Sequence, residues 1–250
     1  MNTTDSSAAA FRDGMEMIAA AVPGSYHLRG EHGTLLALTH AAVPALNPIL
    51  SPAATPDPVE IATLAGVAAQ QSGGAPWSIR LRGEPTGEVV EVADRHGLTS
   101  TVSQPFMTRA LTGDVPETKP VVRRLAASEY ETFAAVLAGG FGAPPQIISA
   151  VYGPQVLAHP AVAAYVAEDD SGMAVAAGVS IRTDGHLGIG NVATLEPFRR
   201  QGYAYALTAT LLNDGRASGA HTAYLHATDD VVPFFERLGF ETRENWTMIF

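Results

Sequence analysis

One segment constrains this chain more than any other. An apolar strand pattern from Leu187 ends in Asn191-Val192-Ala193-Thr194, passes through Leu195-Glu196-Pro197-Phe198, and opens a helix at Arg199-Arg200-Gln201-Gly202-Tyr203-Ala204. Glycine at 202 and alanine at 204 remove side-chain bulk where successive backbone N–H groups begin the helix, and the helix dipole adds partial positive charge there. A strand feeding such a helix start reads as a cradle for a phosphate group.

The rest of the chain can support that element. Of 250 residues, 46% are hydrophobic and 16% charged, enough for a large buried core in one or two domains. The formal net charge of -10 argues against nonspecific nucleic-acid binding. Cysteine is absent, which excludes disulfides, thiolate metal sites and a cysteine acyl-enzyme, and fits a reducing compartment. Asp5, Arg12, Asp13 and Glu16 stand where a secretory signal would be apolar, and the region Leu35 to Leu50 is broken by His40, Pro44, Asn47 and Pro48. A cytoplasmic protein is expected, with neither nucleic acid nor membrane as partner, and a homo-oligomer is left open. His27, His32 and His40 lack metal-ligand spacing, so no metal site is expected.

The second half carries the clearer pattern. After a linker-like stretch, Pro116 to Pro120, a strand is expected at Val121 to Arg124, and Ser128 with Glu131 reads as a capping box for a helix through Leu137. A short helix near Gln146 to Tyr152 precedes three strands, Ala161–Ala167, Met173–Ile181 and Leu187–Thr194, joined by turn residues and hence antiparallel neighbours. A helix from Gln201 to Ala217, a strand Thr222–Ala227, a helix with Val231, Phe234, Phe235 and Leu238 on its buried face, and strands from Phe240 and over Trp246–Phe250 complete the half.

The first half reads as a worn copy: helix Ala8–Ala21, strands Tyr26–Gly30 and Thr34–Thr39, helix Pro58–Gln71, strand Trp77–Arg82, helix Glu88–His96 and strand Ser100–Met107. Arg95-His96-Gly97-Leu98 echoes Arg237-Leu238-Gly239-Phe240, and the helix starts at Pro58 and Gln201 recur at nearly the same offset. Before Pro58, the segment Ser51-Pro52-Ala53-Ala54-Thr55-Pro56-Asp57 has no glycine-rich arginine stretch, and its prolines supply no backbone donors.

The order of elements over residues 120 to 250, with Arg199, Gly202 and Ala204 in an R/Q-x-x-G-x-G/A pattern and the later Glu236-Arg237-Leu238-Gly239-Phe240, resembles the GCN5-related N-acetyltransferase (GNAT) superfamily. The resemblance implies an α/β (α+β) fold in tandem, each half a central mixed, mostly antiparallel sheet flanked by helices: a degenerate domain at 1–115 and a catalytic domain at 120–250. It implies an acetyl-CoA-dependent N-acetyltransferase acting on a primary amine of a small molecule or a protein by direct attack in a ternary complex, or alternatively a non-catalytic coenzyme A-binding sensor or interaction module of the same fold. It places Val192, Ala193 and Thr194 along the pantetheine arm and Arg199, Arg200, Gln201, Gly202, Tyr203, Ala204 and Tyr205 around the diphosphate. The tyrosine with which the family often protonates the departing thiolate falls on Phe235, which has no proton to give.

Strand alternation puts Tyr224 and His226 on one face, as candidates for moving the amine proton, or His226 is a strand histidine with a structural bond only. Asn191 is a further candidate for orienting a water or the amine.

Overall fold

The computed structural model describes residues 2–116 and 119–250; within the expected linker, Glu117 and Thr118 lie outside the described residues. In chain order the first elements are α1 (Thr3–Ala21), β1 (Tyr26–Arg29), β2 (Leu35–Leu38), β3 (Pro48–Ser51), α2 (Pro58–Gln71), β4 (Ser78–Arg82), α3 (Gly87–Arg95) and β5 (Thr101–Ala110). There follow β6 (Val121–Arg124), α4 (Tyr130–Phe141), α5 (Pro145–Val151), α6 (Pro154–Leu157), β7 (Val162–Glu168), β8 (Ala174–Thr183) and β9 (His186–Thr194). The chain ends with α7 (Tyr203–Ala217), β10 (Thr222–His226), α8 (Val232–Arg237) and β11 (Glu241–Ile249).

Two compact units emerge. Unit 1 holds the residues up to Thr108 together with His226–Glu236 and Phe240–Phe250, and unit 2 holds Arg109–Leu225 and Arg237–Gly239. This differs from a single cut between residues 115 and 120. The reason is β11, whose residues pair antiparallel with β4 on one side (Trp246 opposite Arg82) and with β5 on the other (Trp246 opposite Gln104). Backbone hydrogen bonding along nine residues outweighs proximity in sequence.

Unit 1 has the strand order β1-β2-β3-β4-β11-β5, antiparallel except for β3 beside β4. The apolar run from Leu35 folds into two strands where the sequence suggested one. Buried Asn47 makes the corner between them: its amide donates to the carbonyls of Ala41 (2.8 Å) and Pro76 (2.7 Å), and its Oδ1 accepts from the His40 N–H (2.9 Å). Pro48 stands at the first position of β3, where a strand tolerates a residue without a donor. Over one face, Ile61, Leu64 and Ala68 of α2 and Val89 and Val92 of α3 pack on Leu36, Leu38, Ile49, Ile79 and Leu81. Each such side chain, removed from water, contributes about 1.5–3 kcal/mol.

Unit 2 has the order β10-β9-β8-β7-β6, with β10 parallel to β9 and the other pairs antiparallel. Each unit therefore sends three antiparallel strands through a helix to a fourth strand parallel to the third. The expected capping box at Ser128 and Glu131 is not formed. Glu129 instead accepts from the Ala126 N–H (2.9 Å), a single turn of 3-10 helix covers Ala127–Glu129, and α4 starts at Tyr130. On α7, Leu207, Leu211 and Leu212 are buried; a Cβ on Gly178 of β8 would lie 3.0 Å from Leu207. Glycine at 178 lets the helix settle onto the strand.

The polar anchor of β11 is Arg82, whose side chain is only 8% exposed. Its Nε and Nη2 donate to the two oxygens of Glu244 (2.7 and 2.8 Å), and Nη1 donates to Asp5 (2.8 Å). Burial works against the charge, but these bonds hold the guanidinium above its ordinary pKa. Glu244→Gln should therefore destabilise unit 1 by about 2 kcal/mol, the cost of weakening a largely buried pair that keeps one other carboxylate. Urea unfolding monitored by tryptophan fluorescence measures it.

Candidate functional site

The chemistry of β9 begins where its pairing ends. Residues Thr222, Ala223 and Tyr224 of β10 align with His186, Leu187 and Gly188 of β9, and no strand pairs that edge of β9 beyond Gly188 among the described residues. The separation coincides with a close approach. A Cβ on Gly188 would lie 2.6 Å from the hydroxyl of Tyr224, so glycine makes room for the ring on the neighbouring strand. From Ile189 to Thr194, β9 presents backbone on one edge that is available to an extended ligand.

The other edge of β9 is irregular at the same level. Val179 faces Gly190 and Ala177 faces Ala193, so Asn191 and Val192 together oppose Gly178 in a bulge. Asn191 adopts the left-handed conformation, φ +52°, which asparagine tolerates better than most residues. Its amide donates to the hydroxyl of Tyr152 (2.7 Å), at the end of α5. Burial pushes the Tyr152 phenol up to about 12, so the hydroxyl is neutral and an acceptor for Asn191. Asn191 is thus committed to holding the bulge.

Gly140 lets α4 support the end of this strand. A Cβ on Gly140 would lie 2.7 Å from the Cβ of Ala193 and 3.3 Å from the Thr194 N. Arg199 ties the same two elements, donating from Nε to the Thr194 carbonyl (3.2 Å) and from Nη2 to the Gly140 carbonyl (2.9 Å) near the end of α4. A cation there suits the unpaired carbonyls of a helix C-terminus. Arg199 therefore acts on the frame of the site, and Arg199 and Arg200 are both exposed.

Beyond the strand the chain makes a short 3-10 turn, Glu196–Phe198, and reaches α7 through two left-handed residues, Arg200 (φ +63°) and Gly202 (φ +91°). Gly202 is the N-cap residue of α7 and so supplies no side-chain acceptor to the first N–H groups, those of Tyr203, Ala204 and Tyr205. A Cβ at Gly202 would meet nothing within 4 Å: the space over the helix start is open. Gln201 is turned to its own loop, donating to the Pro197 carbonyl (3.0 Å). A cleft of about 540 Å³ lies beside Gln201 and Tyr203, lined also by Lys119, Val121, Glu168 and Asp170. The structure thus gathers Val192, Ala193 and Thr194 with Arg199 to Tyr205 in one continuous strand, loop and helix start.

The corresponding helix of unit 1 is closed. At the start of α2 the carboxylate of Asp57 accepts from the N–H groups of Val59 (2.8 Å) and Glu60 (3.2 Å), filling with a side chain the place that an external anion would take. Its bond with His32, then those backbone donors, hold that carboxyl below its ordinary range.

The two candidates for proton movement lie two residues apart on β10. Tyr224 is buried over Gly188 in unit 2, while His226 belongs to unit 1. The imidazole of His226 is ringed by Phe11, Phe106 and Trp246, at centroid distances of 4.6, 4.8 and 5.1 Å, and its buried Nε2 has no hydrogen-bond partner. Burial, and then the positive charge of Arg80, push its pKa well below the usual value, so the ring is neutral at pH 7. Phe235 is buried in unit 1, its ring 4.9 Å from Phe234 and 5.8 Å from Phe240. Among the described residues no group of three or more His, Cys, Asp or Glu is arranged to hold a metal ion, and no helix is long and apolar enough to cross a membrane.

Residues that pattern reading passed over carry part of this arrangement. Tyr152, Gly140 and Gly188 act across elements distant in sequence, and no local spacing announces them. Tyr152→Phe should cost about 1 kcal/mol of stability by leaving the Asn191 amide unsatisfied; comparing denaturant midpoints of the two proteins checks it.

Residues 131–240 match the model of the acetyltransferase (GNAT) family. A search of curated proteins found no match. Among solved structures, the fold is similar to that of a GCN5-related N-acetyltransferase from Kribbella flavida, with TM-score 0.69, 21% identity, and coverage of 100% of this chain and 95% of that one. It is also similar to a functionally unknown conserved protein from Staphylococcus epidermidis ATCC 12228, with TM-score 0.62, 13% identity, and coverage of 90% and 93%.

Proposed function

We propose, from a second half whose residues 131–240 match the acetyltransferase (GNAT) family model, that this protein is an acetyl-CoA-dependent N-acetyltransferase acting on a primary amine. One observation carries the reading: an unpaired strand edge, Ile189–Thr194, leads directly to a helix start with free N–H groups and open space at Gly202. Bound acetyl-CoA would supply an activated acetyl thioester. Backbone groups of Val192, Ala193 and Thr194 would pair with its extended arm as an added strand does, and N–H groups around Gly202 to Tyr205 would bind its diphosphate. An N–H near Val192 is the donor proposed for the thioester carbonyl oxygen.

With no cysteine in the chain, direct attack by the amine is favoured over a covalent acetyl-cysteine. His226, neutral at pH 7, is the proposed acceptor of the amine proton, with Tyr224 in the same strand as the alternative.

A second reading, a coenzyme A-binding sensor without turnover, is favoured by Phe235, a core residue at the position where the family often has its proton-donating tyrosine. Thiol release from acetyl-CoA with a panel of amines separates the two readings, since only the enzyme releases thiol. Gly202→Asp adds bulk and a negative charge where the diphosphate would lie. Coenzyme A affinity measured by calorimetry should fall by more than about 2 kcal/mol, or roughly 30-fold. Unchanged affinity would remove this site. His226→Ala should lower turnover more than cofactor affinity, and equal turnover would retire it as the proton acceptor.

A further inference from the structure

Arg80 and Arg82 stand two residues apart on β4 and so project from the same face. Their surroundings are opposite. Arg82 is neutralised by Glu244 and Asp5. Arg80 donates from Nη2 to Oε1 of Gln104 (2.8 Å), lies with Cζ 5.0 Å from the centroid of the Phe11 ring, and forms no ion pair with a carboxylate among the described residues. Burial alone pushes its guanidinium down, to about 10. As whole residues Arg80 and His226 each keep partial exposure, while Nε2 of His226 is itself buried.

An arginine in this position is costly. Enclosing a cation without a counter-charge costs several kcal/mol, which methionine or leucine would avoid in the same volume. The guanidinium has five N–H donors, and one is used by Gln104. Against the same Phe11 ring lies His226, whose buried Nε2 is also unpartnered. Nearby charges are paired with one another, Asp5 and Glu244 with Arg82, Arg12 with Asp13, Arg29 with Asp13 and Glu16, and Arg243 with Glu241, while Arg109 of β5 donates to the Leu238 carbonyl.

We propose that Arg80, Gln104 and the imidazole of His226 form a binding site in unit 1 for the carboxylate of a small molecule. One guanidinium beside a neutral amide and a neutral imidazole offers a single positive charge, which matches a monoanion; a doubly charged phosphate would have half its charge unmatched. Read with the acetyl-transfer assignment, on which this step rests, the ligand class is an amine that carries a carboxylate, such as an amino acid. Binding would also cancel the positive charge that depresses the basicity of His226, making that imidazole a better proton acceptor when the site is filled.

The test needs no acetyl-CoA. Full-length protein with labelled histidine is titrated with acetate or glycine, and with acetamide or glycinamide as uncharged-end counterparts, at constant ionic strength. Acetate and glycine should shift the His226 ring signals saturably and raise its pKa, while the amides leave both unmoved. In Arg80→Met the response should vanish while the melting temperature stays equal or rises. If that variant does not fold, Arg80→Lys should bind at least tenfold more weakly, because an ammonium cannot form paired parallel bonds. No saturable response in the wild type, an equal response in Arg80→Met, or tighter binding of inorganic phosphate than of acetate would overturn the site. Glycine binding without thiol release from acetyl-CoA with any amine would support the site and remove the transferase reading.

Discussion

The parting of β9 from β10 after Gly188 and Tyr224 is the constraint on which the rest of unit 2 depends. Parallel strands ordinarily continue pairing because an unpaired backbone group buried away from water costs as much as a lost hydrogen bond. Here the pairing stops while β9 runs on to Thr194, held on its other edge by β8 and behind by α4. The exposed edge is tolerable because solvent or an extended ligand can satisfy it. The bulge at Asn191 and Val192 belongs to the same device, since it redirects the strand just before the loop that starts α7. Tyr152 and Arg199 then hold a shape the strand would not keep alone.

Both units use one plan, and a single capping residue separates their capacities. Three antiparallel strands and a helical crossover to a parallel strand occur in each. In unit 1 the crossover helix starts at Asp57, whose carboxylate occupies the first N–H groups. In unit 2 it starts at Gly202, which leaves them free. The same helix-end electrostatics serve stability in the first case and, under the proposed function, an anion in the second. In unit 1 the unmet demand lies elsewhere, at Arg80, where the cation has an amide and an aromatic face but no carboxylate.

Much of this was legible from residue order. Helix α2 falls on its expected span, Pro58–Gln71, because Asp57 and Pro58 are strong start signals, and β6 falls on Val121–Arg124. The strand, loop and helix start that join residues 192–194 to 199–205 were legible because they are consecutive. β3 was not, since prolines at 44 and 48 mask a strand whose corner depends on Asn47 reaching Pro76, far along the chain. The capping of α4 was misplaced by two residues, because Glu129 and Glu131 are equally plausible partners until the backbone selects one.

Residue order alone specified most of the elements, their succession, and the strand-to-helix junction at 191–204, because periodicity, glycine and capping chemistry act within a few residues. Folding in three dimensions was needed to establish that β11 pairs within unit 1, that Arg199 binds carbonyls, that His226 sits neutral among three aromatic rings, and that Arg80 differs from Arg82. Those facts depend on which distant residues come into contact, and on how much water they exclude, and neither quantity is encoded in local spacing.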